Sequence, residues 1–288
     1  MAQCQTRLST EIGVNNPAFS SFDLKALELH SLSQECHISI QIGLNGLSYC
    51  VKNDKEILGI ESYEQPLSQV ENVIKENDWL TKDYASSNIS ITTKKSTLIP
   101  STIFSNENKK DLLRLNHRKI EELDILTDDV SIIDGHCIYG VSKAEQDIIT
   151  THLPKSTVKH FSSRYIPHLL SENKNFDGQK MVVNVSYNQI NISIFDHSKF
   201  IYYNVFNYKN THDCIYYILF ACEQVELNPE NMTLEFMGDI SKDDEIFTLA
   251  YTYVRNVEFS QRRVSISQNI EKINPHNFYS LIHQHLCE

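Results

Sequence analysis

Residues 37–42, His-Ile-Ser-Ile-Gln-Ile, alternate apolar and polar side chains, the period of a half-buried strand. Asn45-Gly46 follows and predicts a type I′ hairpin turn, whose two central residues both take positive φ. Residues 47–51 form the return strand, Asn53-Asp54 a second turn and 57–60 a third strand. Pro66 then opens a helix to about Asn77, with Leu67, Val70, Val73 and Ile74 on one face. The same succession returns later. Residues 181–185 and 190–195 read as strands around a turn at Tyr187-Asn188-Gln189, and 200–206 as a third strand after Asp196-His197-Ser198. A long apolar helix over 211–223, a strand over 233–237, a helix over 243–254 and a strand over 257–259 complete it. Residues 275–286 form a final amphipathic helix.

The middle of the chain is less regular. Residues 89–93, 97–99 and 138–141 read as extended, and 106–116 as helical. Residues 123–126 and 130–133 are expected to pair around Thr127-Asp128-Asp129. A helix over 144–152 ends at Pro154, a short strand covers 158–161, and 163–170 is helical despite Pro167. The polar stretch 171–179, closing on Asp177-Gly178-Gln179, is the best boundary. Three parts result: a polar lead-in with little core and one early strand or turn over 1–35, a first half with inserted strands over 36–175, and a second half over 176–288 whose final helix packs back on the first. Strand, tight turn, strand, short turn, strand, helix starts at Cys36 and again at Lys180. That is an internal repeat. The fold class is α/β with mixed sheets, built as duplicated βββαβα halves.

Composition narrows the chemistry. The 288 residues include only 8 glycines, where the usual share of about 7% would give roughly 20. A P-loop and a G-x-G-x-x-G turn both need clustered glycines, and neither is present. The formal net charge of −11 repels phosphate backbones and argues against nucleic acid. Lys109, Lys110, Arg114, Arg118 and Lys119 read as a solvated helix face. No segment reaches the ~18 apolar residues of a membrane span, and the first residues lack a secretory core, so neither membrane insertion nor export is expected. Seven scattered cysteines, Cys4, Cys36, Cys50, Cys137, Cys214, Cys222 and Cys287, suit free thiols in a reducing cytoplasm.

No metal or catalytic signature stands out. H-E-x-x-H and G-x-S-x-G are absent. Asp134-Gly135-His136 reads as a turn, and His283 and His285, two apart on a helix, face different sides. No catalytic residue and no metal ligand is predicted. The aromatic run 200–206 packs mainly in the core; outward-facing Tyr203 and Val205 would make a partner surface.

Two such halves resemble the actin-like ATPase superfamily, with its ribonuclease H-like halves. More specifically, the chain is similar to an uncharacterised bacterial family, number 3822 among the domains of unknown function. The stretches H-I-S-I-Q-I-G-L-N-G-L-S-Y, L-I-P-S-T-I-F, M-V-V-N-V-S-Y-N-Q-I-N-I-S-I-F and L-E-F-M-G-D-I carry that resemblance. It implies a nucleotide cleft between the halves. The first phosphate turn would be Gly43-Leu44-Asn45-Gly46, with Asn45 in place of the usual acid. The second would run Asn184-Val185-Ser186-Tyr187-Asn188, with Asn184 for the acid and Ser186 for the glycine. On the adenosine side one glycine of a usual pair survives, Gly238, followed by Asp239.

Each stretch also has a plain structural reading: two hairpin turns, and a strand-to-helix turn capped by Asp239 or Ser241. With no dependable Mg²⁺ acid and no phosphate-binding lysine, the resemblance points to a pseudo-ATPase. Such a protein would act as a non-enzymatic scaffold or adaptor with a protein partner and no required cofactor. The alternative is a switch or weak ATPase that binds ATP and Mg²⁺ through these same residues.

Overall fold

The computed structural model describes residues 17–271 and 273–284; Cys4, His285, Cys287 and the end of the predicted last helix lie outside them. The chain begins with β1 (Phe19–Phe22), α1 (Leu24–Leu29), α2 (Leu32–Glu35), β2 (His37–Gly43), β3 (Gly46–Lys52) and β4 (Glu56–Tyr63). It continues with α3 (Leu67–Glu76), α4 (Asp78–Thr81) and β5 (Ser86–Ile91). An inserted unit follows, of β6 (Ser96–Pro100), α5 (Lys109–Asn116), β7 (Asp124–Val130) and β8 (Gly135–Val141). Next come α6 (Lys143–His152), β9 (Thr157–His160) and α7 (Phe161–Glu172). The later part holds β10 (Gln179–Ser186), β11 (Gln189–Asp196), β12 (Lys199–Asn207), α8 (Thr211–Gln224), β13 (Thr233–Gly238), α9 (Glu245–Tyr253) and β14 (Asn256–Phe259). Strand β15 (Ser265–Ile266) and α10 (Tyr279–His283) close the described chain.

Two sheets carry one plan. The first has the order β1-β4-β3-β2-β5-β9, with β15 also on β4, and the second β12-β11-β10-β13-β14. With β2 set against β10, the five strands β4-β3-β2-β5-β9 coincide with β12-β11-β10-β13-β14, and β1 and β15 are additions at the edge of the first sheet. In each sheet three antiparallel strands meander, and two more join parallel to the first. Parallel neighbours need a crossover. Helices α3, α8 and α9 supply simple ones, while the crossover from β5 to β9 also carries the three-stranded sheet β6-β8-β7 and α6.

Each sheet buries one face under its own helices. Val70, Val73 and Ile74 of α3 lie on Ile38, Ile40 and Tyr49, and Cys214, Ile215 and Ile218 of α8 lie on Val183, Ile192 and Phe236. The opposite faces turn toward each other across α7 and α10. Phe161, Tyr165 and Leu169 of α7 pack with Val182, Phe195 and Tyr279, while Leu281 and Ile282 of α10 pack on Cys50, Ile57 and Ile60.

Beyond α10, Gln284 donates to the carbonyls of Ile40 (3.1 Å) and Asn88 (2.7 Å) in the first sheet. On the other side the Gly238 amide donates to the His276 carbonyl (2.9 Å), and Asn277 donates to the Gly238 carbonyl (2.8 Å). The last described segment is a strap between the sheets.

Four expectations need correction. The lead-in holds more than one early strand. The strand expected there is β1, which covers the outer edge of β4 with Phe22 opposite Gly59, but α1 and α2 follow it before residue 36 and Leu27 is buried. An open edge on a buried sheet invites such a cover. Residues 127–129 are not a turn. They continue β7, and the reversal lies at Ser131–Ile133, with Asp134 left-handed at φ 49°. Asp128 is thereby held in the interior, accepting from Tyr139 (3.0 Å) and the His160 amide (2.6 Å).

The type I′ turn is not at Asn45-Gly46. The turn residues are Leu44 and Asn45, neither of which has positive φ, whereas His197 (49°) and Ser198 (64°) both do. Tyr203 is not on a surface patch. It faces α7, sharing a hydrogen bond with Ser162 (2.7 Å) and donating to Asn191 (3.1 Å), because a bulge at Ile194/Phe195 resets the alternation of β12. The basic cluster on and after α5 is exposed apart from Lys109, which is half-buried, and Arg114 pairs with Asp111 at 2.8 Å. The five described cysteines are free and buried, and burial pushes their thiols up, to about 12 for Cys50 and Cys214.

Asp23 ties an early described segment to a late one. It is 4% exposed, caps α1 by accepting from the Ala26 amide (3.0 Å), and also accepts from Ser267 and Asn269. The Ser267 hydroxyl, then the Ala26 amide, hold its carboxyl below the ordinary value. Asp23→Ala is expected to cost roughly 2–3 kcal/mol, since it strands those donors and removes a charged acceptor. Urea unfolding measures this, and a loss below about 0.5 kcal/mol would contradict the role given to the contact.

Candidate functional site: the cleft between the sheets

The carboxyl ends of β2 and β5 face those of β10 and β13, and a cleft of about 410 Å³ lies between them. In α/β sheets this end of the strands is where ligands bind. The structure brings seven of the eight sequence-predicted residues to its wall: Gly43, Asn45, Gly46, Asn184, Ser186, Gly238 and Asp239. Asn188 does not join them. It sits left-handed at φ 54° in the β10–β11 turn, and its carbonyl accepts from the Tyr208 amide (3.0 Å).

The glycines differ in purpose. A Cβ on Gly46, at φ 149°, would lie 1.8 Å from the Tyr63 carbonyl oxygen, so this glycine lets β3 pass the end of β4. A Cβ on Gly238, at φ 91°, would lie 2.2 Å from the Val185 carbonyl oxygen. Both are required by protein packing alone. Gly43 is different. The nearest atom to its hypothetical Cβ is 3.8 Å away, and the space above it is open cleft.

The polar groups follow the same division. Ser186 turns its hydroxyl back to the Gln189 carbonyl (3.1 Å), closing its own hairpin. Asn184 is 4% exposed, lines the cleft and makes no side-chain hydrogen bond among the described residues. Asp239 and Glu64 present exposed carboxylates to the cleft. The surrounding walls, and then neighbouring Asp244, push the Asp239 carboxyl above its ordinary value. Asp239 and Ser241 do not cap the following helix: α9 starts at Glu245 with Asp244 at the cap position, and Asp244 accepts from the Ser241 amide (2.6 Å).

Among the described residues lining the cleft there is no Lys, Arg or His. Among the described residues, no group of three or more His, Cys, Asp or Glu is arranged to hold a metal ion.

Glu64, Phe19 and the strap residues Asn277, Phe278 and Ser280 also line the cleft, and sequence reasoning missed them. Glu64 follows a strand that the alternation pattern located, so a search of strand ends would have found it. The strap residues arrive from far along the chain and carry no motif.

The shared five-strand order of the two sheets, with a cleft at their facing strand ends, is the plan of the actin-like ATPase fold. Residues 26–257 match the family described as "Protein of unknown function (DUF3822)". The chain belongs to that family. A crystal structure from Bacteroides thetaiotaomicron VPI-5482, described as a protein with actin-like ATPase fold and unknown function, is 23% identical at a TM-score of 0.75. That likeness covers 89% of this chain and 97% of the other. The PilM-PilN type IV pilus biogenesis complex contains a chain 13% identical, with a TM-score of 0.52, covering 88% of this chain and 98% of that one. No curated protein matches. These likenesses establish the fold, as the resemblance in the sequence implied. No helix among the described residues is long and apolar enough to cross a membrane.

Proposed function

We propose that this protein is a non-enzymatic scaffold or adaptor, acting in the cytoplasm, that keeps the actin-like fold for binding a protein partner rather than for turning over nucleotide. The observation that carries this reading is the charge of the cleft: its lining offers two carboxylates and no cationic side chain to a polyphosphate. Phosphoryl transfer depends on positioning and on cations that neutralise developing charge. Two of the glycines that suggest a nucleotide cleft, Gly46 of the first phosphate turn and Gly238 on the adenosine side, are already required by neighbouring carbonyls. The structural likeness to a chain in the PilM-PilN complex, an assembly of proteins, is in keeping with a partner-binding role.

Melting curves with ATP and Mg²⁺ test the reading. No change is expected up to millimolar nucleotide. A site filled at 100 times its Kd would add about 2.7 kcal/mol, a rise of roughly 5 °C or more. Such a rise would establish the switch reading instead.

A further inference from the structure

We propose that the cleft between the sheets binds a small alkylammonium ligand, a linear di- or polyamine, held by Asp239, Glu64 and Asn184. The inference rests on the reading that the cleft does not take phosphate.

Three observations point to it independently. The first is sign. Two exposed carboxylates face a cleft with no compensating cation, in a chain of formal net charge −11, so the local field draws cations in and turns anions away. The second is an unused amide. Asn184 is 4% exposed, lines the cleft and has no side-chain partner among the described residues, so its amide is available to a ligand in the cleft. Its Oδ1 lies 3.0 Å from the position a Gly238 Cβ would take, on the Asp239 side of the cleft. There it can accept from the same ammonium group as Asp239.

The third is room. Gly43 leaves its Cβ space open, and about 410 Å³ lies at the small end of ligand sites. Tyr187 and Phe278 on the wall supply ring faces, which attract cations as well. A neutral polyol would fit the space but leave both carboxylates uncompensated.

The experiment is thermal melting and calorimetric titration of the full chain with spermidine and 1,4-diaminobutane. Butane-1,4-diol serves as the uncharged match, with NaCl at equal ionic strength as a control and ATP with Mg²⁺ as a separate arm. Spermidine is expected to raise the melting temperature and give a saturable 1:1 isotherm, while the diol and NaCl do neither. Asp239→Asn and Glu64→Gln, both at exposed positions, are each expected to weaken the amine at least tenfold, and Asn184→Ala severalfold. No spermidine isotherm, or one unchanged in both carboxylate variants, overturns the proposal and marks any residual effect as general screening of an acidic surface. Stabilisation by ATP and Mg²⁺ would instead overturn the scaffold reading, so the two failures are distinct.

Discussion

Gly46→Ala is expected to destabilise the protein by at least about 3 kcal/mol, and Gly43→Ala, three residues earlier, by no more than about 0.5 kcal/mol. Both glycines bracket the same hairpin turn and both line the cleft. What separates them is what a methyl group would meet. At Gly46 it would stand 1.8 Å from the Tyr63 carbonyl oxygen, in a backbone conformation that L residues avoid. Relief would require parting β3 from the end of β4, beside the hydroxyl-carboxylate cluster in which Tyr49 and Tyr63 donate to Glu61. At Gly43 the methyl group would enter open space.

Gly238→Ala should resemble Gly46→Ala, because its methyl group would strike the Val185 carbonyl oxygen. At roughly 2–4 °C per kcal/mol, the clash variants should melt about 6–12 °C lower, and the Gly43 variant within about 2 °C of the parent. Equal losses at 43 and 46 would mean that the turn as a whole, rather than one close approach, requires glycine.

A second large effect is expected on acidification. His160 and His283 are 2% and 1% exposed, and burial lowers their pKa values to about 3 and about 4. The hydrogen bonds agree with neutral rings. His160 Nδ1 accepts from the Ser162 amide (3.2 Å) at the start of α7, and His283 Nδ1 donates to the Tyr279 carbonyl (2.8 Å). Below about 6.5 each imidazole of the unfolded chain takes up a proton that the folded protein refuses. Stability is therefore complete above that pH and falls as pH drops, by up to about 1.4 kcal/mol per unit for each ring. His276, also lowered by burial, adds in the same sense.

From pH 7.5 to pH 5 the first two should remove about 4 kcal/mol. Urea midpoints at the two pH values measure it. His283→Phe should abolish close to half the difference, since a second aromatic ring can replace its stack on His168 at 4.6 Å. An equal midpoint at both pH values would contradict the burial of these rings.

Much of this architecture could be read in the chain because its strands alternate cleanly and its repeat is complete. Residues 37–42 and 190–195 alternate, and that period marks them as strands, although 190–195 are buried on both faces, which the alternation does not show. The glycines at 43, 46 and 238 could be located, but their different purposes could not. The need at Gly46 comes from Tyr63, and the need at Gly238 from Val185 on another strand. A hairpin dipeptide such as Asn45-Gly46 suggests positive φ at both residues, yet here tertiary approach, not turn type, fixes the glycine. Residues 127–129 misled for a related reason: Thr-Asp-Asp has turn composition, but Tyr139 and the His160 amide satisfy Asp128 within a strand. The chemistry of the cleft was half legible. Asn184 and Asp239 stand on elements that the repeat predicts, whereas Asn277, Phe278 and Ser280 reach it on the strap.

The strap also orders events during synthesis. Everything it ties lies earlier in the chain: Ile40, Asn88 and Gly238 are all made before Asn277 and Gln284. Each sheet can therefore gather its meander and parallel strands while the other is unfinished; α7, bonded to the first sheet from Arg164 to Asn88 and packed on Val182 and Phe195 of the second, begins to join them, and the strap adds the later ties. Only the Glu56–Ile57 end of the first sheet's outer edge, beyond the part that β1 covers, waits on β15, whose residues follow the whole of the second sheet. A nascent chain halted at the polar stretch near residue 175 would thus expose the inner face of its sheet, where Cys50, Ile57 and Ile60 await Leu281 and Ile282. In the folded chain it is the strap, through Leu281 and Ile282, that covers this apolar face.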